Sequence, residues 1–179
     1  MAKDNWETPW DFIDNVSREF PLVLDVCTDG SNAKCSLFIT DSLNKDWHSI
    51  VQSNGGGFVW CNPPYSDPSP WVNKIITTVH QGTGSLLLVN AMTSADWFHK
   101  ALTHCSELWV FKGRIAFVDP DNGLPAGGND RSQVMFIFDP YRIGECKTRS
   151  VKVSDYQKIK RQTYRSYCYV SNRSHGRPS

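Results

Sequence analysis

Residues 85–89 read Ser-Leu-Leu-Leu-Val without a polar interruption. A strand of that kind has no face to give to water, so it belongs inside a parallel sheet covered on both sides. The rest of the chain fits that demand. Leu22-Val23-Leu24-Asp25-Val26 is a buried strand that runs into an acid. Residues 36–40 form a short second strand before Asp41, and Gly57-Phe58-Val59-Trp60-Cys61 and Leu108-Trp109-Val110-Phe111 are further strands. Helical patterns alternate with them. Thr8 caps the first helix with Pro9 at its first position, and Phe12, Ile13, Val16 and Phe20 recur at near-helical spacing. Residues 70–80 carry Trp71, Ile75, Ile76 and Val79 on one side, and 94–103 form another helix. Beyond Gly113, residues 115–118 and 133–138 are expected to pair antiparallel around 119–132. Alternating strands and helices imply a doubly wound α/β sheet, with ligands at the carboxyl ends of its strands. That rule puts Asp25, Asp41, Asn62 and Asn90 on one rim.

A length of 179 residues suits one domain with one core. Apolar residues at 40% and charged residues at 21% are ordinary for a soluble globular chain. No apolar run reaches the ~18 residues of a membrane span, and the first residues lack a signal peptide's apolar core, so an intracellular (cytoplasmic) protein is expected. The six cysteines are scattered, with no Cys-x-x-Cys pair, which predicts reduced thiols and no metal site. The overall charge of +1 hides an asymmetry. Residues 1–141 carry 9 Lys/Arg and 16 Asp/Glu, whereas 142–179 carry 10 Lys/Arg against Glu145 and Asp155. The chain divides accordingly into a main domain, 1–141, and a basic extension, 142–179, partly packed on it. Such an extension suits a polyanionic partner or a solvated tail.

Asn62-Pro63-Pro64-Tyr65 follows directly on a buried strand. Two successive prolines make a stiff, extended exit, because each fixes its own φ and restricts the residue before it. A stiff exit can hold the Asn62 side-chain oxygen and the Pro63 carbonyl as two fixed acceptors. The exocyclic amine of a base is a poor nucleophile because its lone pair is delocalised into the ring. Two acceptors on its N–H groups favour a pyramidal nitrogen and free that pair for attack, and holding the reactants together does much of the rest. Tyr65 can stack on the base, worth about 1–3 kcal/mol, which offsets part of the cost of turning it out of a duplex. Gly-x-Ser-x-Gly and Cys/His hydrolytic signatures are missing, and the five histidines make no triad spacing.

These residues resemble the phage-type DNA N6-adenine methyltransferases (Dam-like). The likeness runs in order through Trp6-Glu7-Thr8-Pro9, Leu24-Asp25-Val26-Cys27, Asp41-Ser42-Leu43, Asp46-Trp47, Val59 to Tyr65, Asp96-Trp97-Phe98 and Lys112 to Phe117. It implies a Rossmann-like class I fold with S-adenosylmethionine as cofactor and double-stranded DNA as partner. Its reaction would be methyl transfer to adenine N6, with Asn62, Pro63 and Tyr65 catalytic. It also implies cofactor contacts from Trp6, Thr8, Pro9, Asp25, Cys27, Asp41, Asp46 and Asn62. One departure from methyltransferases in general is the loop after the first strand, which is not glycine-rich: residues 25–33 contain only Gly30. RNA and protein glutamine present the same planar amines to such a motif, and a non-catalytic binding module would keep the fold. Candidate phosphate contacts are Lys158, Lys160, Arg161, Arg165, Arg114 and Arg131, Arg114 being equally able to pair with a structural carboxylate. The base-reading loops are expected within 66–70, 91–96 and 119–131.

Overall fold

The computed structural model describes residues 6–120, 122–126 and 131–158. Its elements follow in the order α1 (Trp10–Glu19), β1 (Leu22–Asp25), β2 (Leu37–Phe38), a 3-10 turn (Ser42–Asn44), α2 (Trp47–Ser53), β3 (Phe58–Cys61), α3 (Ser69–His80), β4 (Gly84–Asn90), α4 (Asp96–His104), β5 (Glu107–Lys112), β6 (Gln133–Phe138), β7 (Lys147–Lys152) and α5 (Val153–Tyr156). The strands form one sheet in the order β2-β1-β3-β4-β6-β5-β7. Only β6 is reversed: it pairs antiparallel with β4 and β5, and every other pairing is parallel. This is a Rossmann-like α/β fold. None of the helices is long and apolar enough to cross a membrane among the described residues.

Alternation along the central strands divides the core in two. Val59, Cys61, Leu87, Val89, Val134 and Phe136 face one way, toward α2, α3 and α4. Trp60, Leu86, Leu88, Met135 and Ile137 face the other way, toward α1 and α5. β4 and β6 are buried at every position, as their unbroken apolar sequences require.

Three expectations are corrected. Residues 115–118 do not pair with 133–138. Gly113, at φ +98, turns the chain away from β5, and Val118 instead bridges Glu7 and Pro125. A fully buried β6 needs neighbours of its own length on both edges, and β4 and β5 supply them. Thr8 does not cap α1: Pro9 occupies the cap position without a side-chain bond, and the Thr8 hydroxyl is engaged elsewhere. The second strand is only two residues long, at the sheet edge.

Part of the basic extension belongs to the sheet. Residues 147–152 add β7 along β5, and Val153 and Tyr156 enter the core. Tyr156 donates to Glu19, which also accepts from Arg149 Nη1 at 2.7 Å, and Arg149 lies 4.6 Å over the Trp109 ring.

Candidate active site

The chain changes direction across the sheet at β1. It passes to β2 on one side, then returns to β3 on the other and continues outward. Such a switch opens a crevice at the carboxyl ends of the strands. A cleft of about 520 Å3 lies there, lined by the loop after β1, the 3-10 turn, the exit of β3 and the N-terminal segment.

Asp25 closes β1 and is 3% exposed. Its Oδ1 accepts from the Cys27 N–H at 3.0 Å and its Oδ2 from the Lys34 N–H at 2.8 Å. Burial raises its carboxyl above the ordinary value, against the pull of those two amides. One carboxylate thus clasps both ends of the loop 26–34. Inside the loop, Thr28 Oγ1 lies 2.5 Å from Asn32 Oδ1 and accepts from the Gly30 N–H, while Asp29 accepts from the Ser31 N–H. Short polar side chains therefore organise a loop that lacks a glycine-rich sequence. Gly30 is the exception. Its φ is +99, and a Cβ there would fall 2.9 Å from the Phe38 ring.

The N-terminal segment is laid across the cleft by backbone bonds. Glu7 N–H donates to the Val118 carbonyl and Val118 N–H to the Glu7 carbonyl, both at 2.9 Å. Trp6 packs on Phe117 at 6.2 Å. This brings Thr8 over the end of β3, where the Asn62 Nδ2 donates to its hydroxyl at 3.2 Å. Asn62 Oδ1 is buried and has no hydrogen-bond partner. The Tyr65 hydroxyl is likewise buried and unpartnered, its ring edge-on to Phe117 at 6.4 Å, and burial pushes the phenol above its ordinary value. Cys27 Sγ lies 3.4 Å from Cys61 Sγ, and burial raises the Cys27 thiol well above its ordinary value, which keeps it protonated.

Of the residues singled out in the sequence, Trp6, Thr8, Asp25, Cys27, Asp41, Asn62, Pro63 and Tyr65 all line the cleft. Pro9 and Asp46 do not. Asp46 caps α2, accepting from the Ser49 N–H at 3.1 Å. Asn90 is held by Gln133 Nε2 at 3.1 Å and lies outside the cleft. Arg114 and Arg131 are exposed on the same rim, and so is Lys158, whose N–H donates to Asp11 at 2.8 Å. Lys160, Arg161 and Arg165 lie outside the described residues. Sequence reasoning missed Lys34. It is 7% exposed, with Nζ 3.1 Å from Glu7 Oε2 and 4.6 Å from the Trp10 ring centre. No spacing links positions 7 and 34. Trp60 and Trp71 also line the cleft.

Comparison with known proteins gives the family. The family model for DNA N-6-adenine-methyltransferase (Dam) matches residues 1–166. The chain belongs to that family. As a member it is an adenine-specific DNA methyltransferase. It is 31% identical over 146 residues to the DNA N-6-adenine-methyltransferase of Haemophilus phage HP1, covering 77% of this chain and 80% of that protein. It is 27% identical over 162 residues to the protein of the same name from Escherichia phage T1, covering 80% of this chain and 66% of that one. The matched span crosses residue 141, the expected domain boundary, and includes β7.

Proposed function

We propose that the chain transfers a methyl group from S-adenosylmethionine to the N6 amine of an adenine turned out of duplex DNA, inside the bacterial cell. The observation that carries this reading is the Asn62 amide. Its nitrogen is held by Thr8, and its oxygen is buried at the cleft with no partner. A buried acceptor left unpaired costs about 1–3 kcal/mol, a cost removed when a bound amine donates to it.

The lining fits a cationic nucleoside. Glu7, Asp25, Asp29 and Asp41 face the cleft against Lys34, which is itself paired with Glu7. Trp6, Trp60, Trp71 and Tyr65 offer apolar walls, and the volume lies within the range usual for small-molecule sites. Asp25 and the loop it clasps, with Trp6, Thr8, Cys27 and Asp41, would hold the cofactor. When bound, the cofactor supplies an electrophilic sulfonium methyl.

The chain's own part is to prepare the amine. Asn62 Oδ1 and the Pro63 carbonyl accept its two N–H groups, which localises the lone pair on nitrogen. The two prolines keep those acceptors still, so little reorganisation is needed as charge develops. Tyr65 bears on the face of the base, and Thr8 keeps Asn62 Nδ2 satisfied so that the amide need not rotate. Lys158, Lys160, Arg161 and Arg165 of the extension, with Arg114 and Arg131, contribute salt-dependent contacts to phosphates.

Transfer from methyl-labelled S-adenosylmethionine to duplex DNA, RNA and protein extract, compared side by side, tests the reading. It expects label in duplex DNA. Label in RNA or on protein glutamine would replace it with another acceptor, and cofactor binding without transfer would reduce the chain to a binding module.

A further inference from the structure

The carboxyl rim of the sheet is electrically divided. Over β1 and β2 lie Asp25, Asp29, Asp41 and Asp46, against Lys45 and a Lys34 already paired with Glu7. Over β6, β5 and β7 the sign reverses. Lys112 ends β5 and Lys152 ends β7, and the two are register partners. Register partners in a parallel pair project from the same face, so the two lysine side chains leave the sheet from neighbouring positions. Arg131 precedes β6, whose reversed direction brings its start to this same rim beside Asn90. Lys112, Lys152 and Arg131 are exposed and make no ion pair among the described residues. Asp155 lies nearby on α5, and between the two halves Asp67 lies in the loop before α3 and Asp96 opens α4. The face that Lys112 and Lys152 share also leaves Val110 at 43% exposure, with Thr148 and Ser150 beside it. No helix covers it.

We infer that duplex DNA lies across the β6–β5–β7 half of the rim, with phosphates held by Lys112, Lys152 and Arg131. This rests on the reading of the chain as a DNA methyltransferase. Like charges placed side by side without partners repel one another, and a polyanion relieves them. The opposite half repels the same polyanion and suits the cationic cofactor, so the field alone sets which way the duplex approaches Asn62. The dimensions agree. Neighbouring strands lie about 4.8 Å apart, so β6, β5 and β7 stand roughly 10, 14 and 19 Å from β3. Phosphates recur every ~3.4 Å of rise along each strand of a duplex, so several fall within that reach of a nucleotide held at Asn62.

The test uses the full chain and duplex DNA at a series of salt concentrations. The triple variant Lys112→Gln, Lys152→Gln, Arg131→Gln should bind more weakly, with a slope of log affinity on log salt shallower by up to about 2.7. The charge-preserving variant Lys112→Arg, Lys152→Arg, Arg131→Lys should keep the wild-type slope. Both should bind S-adenosylmethionine as the wild type does, which reports an intact fold. An unchanged slope in the Gln variant, or an equal loss in the charge-preserving one, overturns the inference while leaving the activity standing. A wild-type chain that binds no duplex DNA would overturn both.

Discussion

Replacing Asp25 by asparagine tests whether one carboxylate organises the loop 26–34, which is proposed to hold the cofactor. In the wild type each oxygen accepts one amide, from Cys27 at 3.0 Å and Lys34 at 2.8 Å. The substituted side chain would offer one oxygen and one NH2, so a donor would face a donor at one end of the loop. A hydrogen bond to a charged group contributes about 1.5–3 kcal/mol, and an orphaned buried amide costs about 1–3. Removing a buried charge offsets part of that, since burial is what raises the Asp25 carboxyl. A net loss of about 1–3 kcal/mol remains, equivalent to roughly 5- to 150-fold in S-adenosylmethionine affinity if the loop opens locally. Calorimetric titration measures it directly. The pH dependence has a definite sign. Because the folded carboxyl is raised, its contribution to stability is full below the unfolded value near 3.9 and is lost as pH rises through the folded value. The stability of the wild type relative to Asp25→Asn should therefore grow as pH falls through that window. Affinity within twofold of wild type, together with an unchanged melting temperature, would refute the clasp.

Thr8→Val leaves Asn62 Nδ2 without its acceptor and should lower kcat by roughly 5- to 150-fold, the equivalent of about 1–3 kcal/mol, with a smaller effect on cofactor affinity. Thr8→Ser should restore the rate in steady-state assays, and an equal loss in both would mean that packing, not the hydroxyl, matters. Tyr65→Phe should retain activity and Tyr65→Ala should lose it, because the ring is kept in the first. Matching losses in the two variants would give the buried hydroxyl a role of its own. Replacing Lys158, Lys160, Arg161 and Arg165 with Gln should weaken DNA binding and flatten its salt dependence by up to about 0.9 per lost contact, with cofactor affinity unchanged. An unchanged slope would make that segment a solvated tail.

The parts of this molecule legible in its sequence are those where pattern and chemistry coincide locally. Leu86 to Val89 declared a strand buried on both faces, and Asn62 to Tyr65 declared a rigid strand exit, which lines the cleft. Other parts depend on tertiary choices that local patterns do not encode. Residues 115–118 have strand-like composition, yet Val118 is committed to Glu7, 111 positions earlier, and that pairing lays the N-terminal segment over the cleft. Thr8-Pro9 reads as a helix start, and the structure shifts the helix by one residue because the threonine hydroxyl faces Asn62. Asp46 matched a cofactor motif by position, while its place outside the cleft lining follows from α2, whose Asp-x-x-Ser cap leaves no trace in apolar periodicity. β7 was hidden by charge. Its pattern is exposed at five of six positions, and Val151 with its neighbours Val153 and Tyr156 carries it into the core. The Glu7–Lys34 pair has no local signature, and only the fold brings it together.

The central claim is that Asn62 presents its oxygen to an adenine amine. Duplex DNA of mixed sequence, incubated with methyl-labelled S-adenosylmethionine and then digested to nucleosides for mass spectrometry, tests it most directly when wild type and Asn62→Ala are run together. The account predicts label on adenine N6 from the wild type and almost none from Asn62→Ala, at equal cofactor affinity. Label on cytosine, or adenine labelled equally by Asn62→Ala, would contradict it.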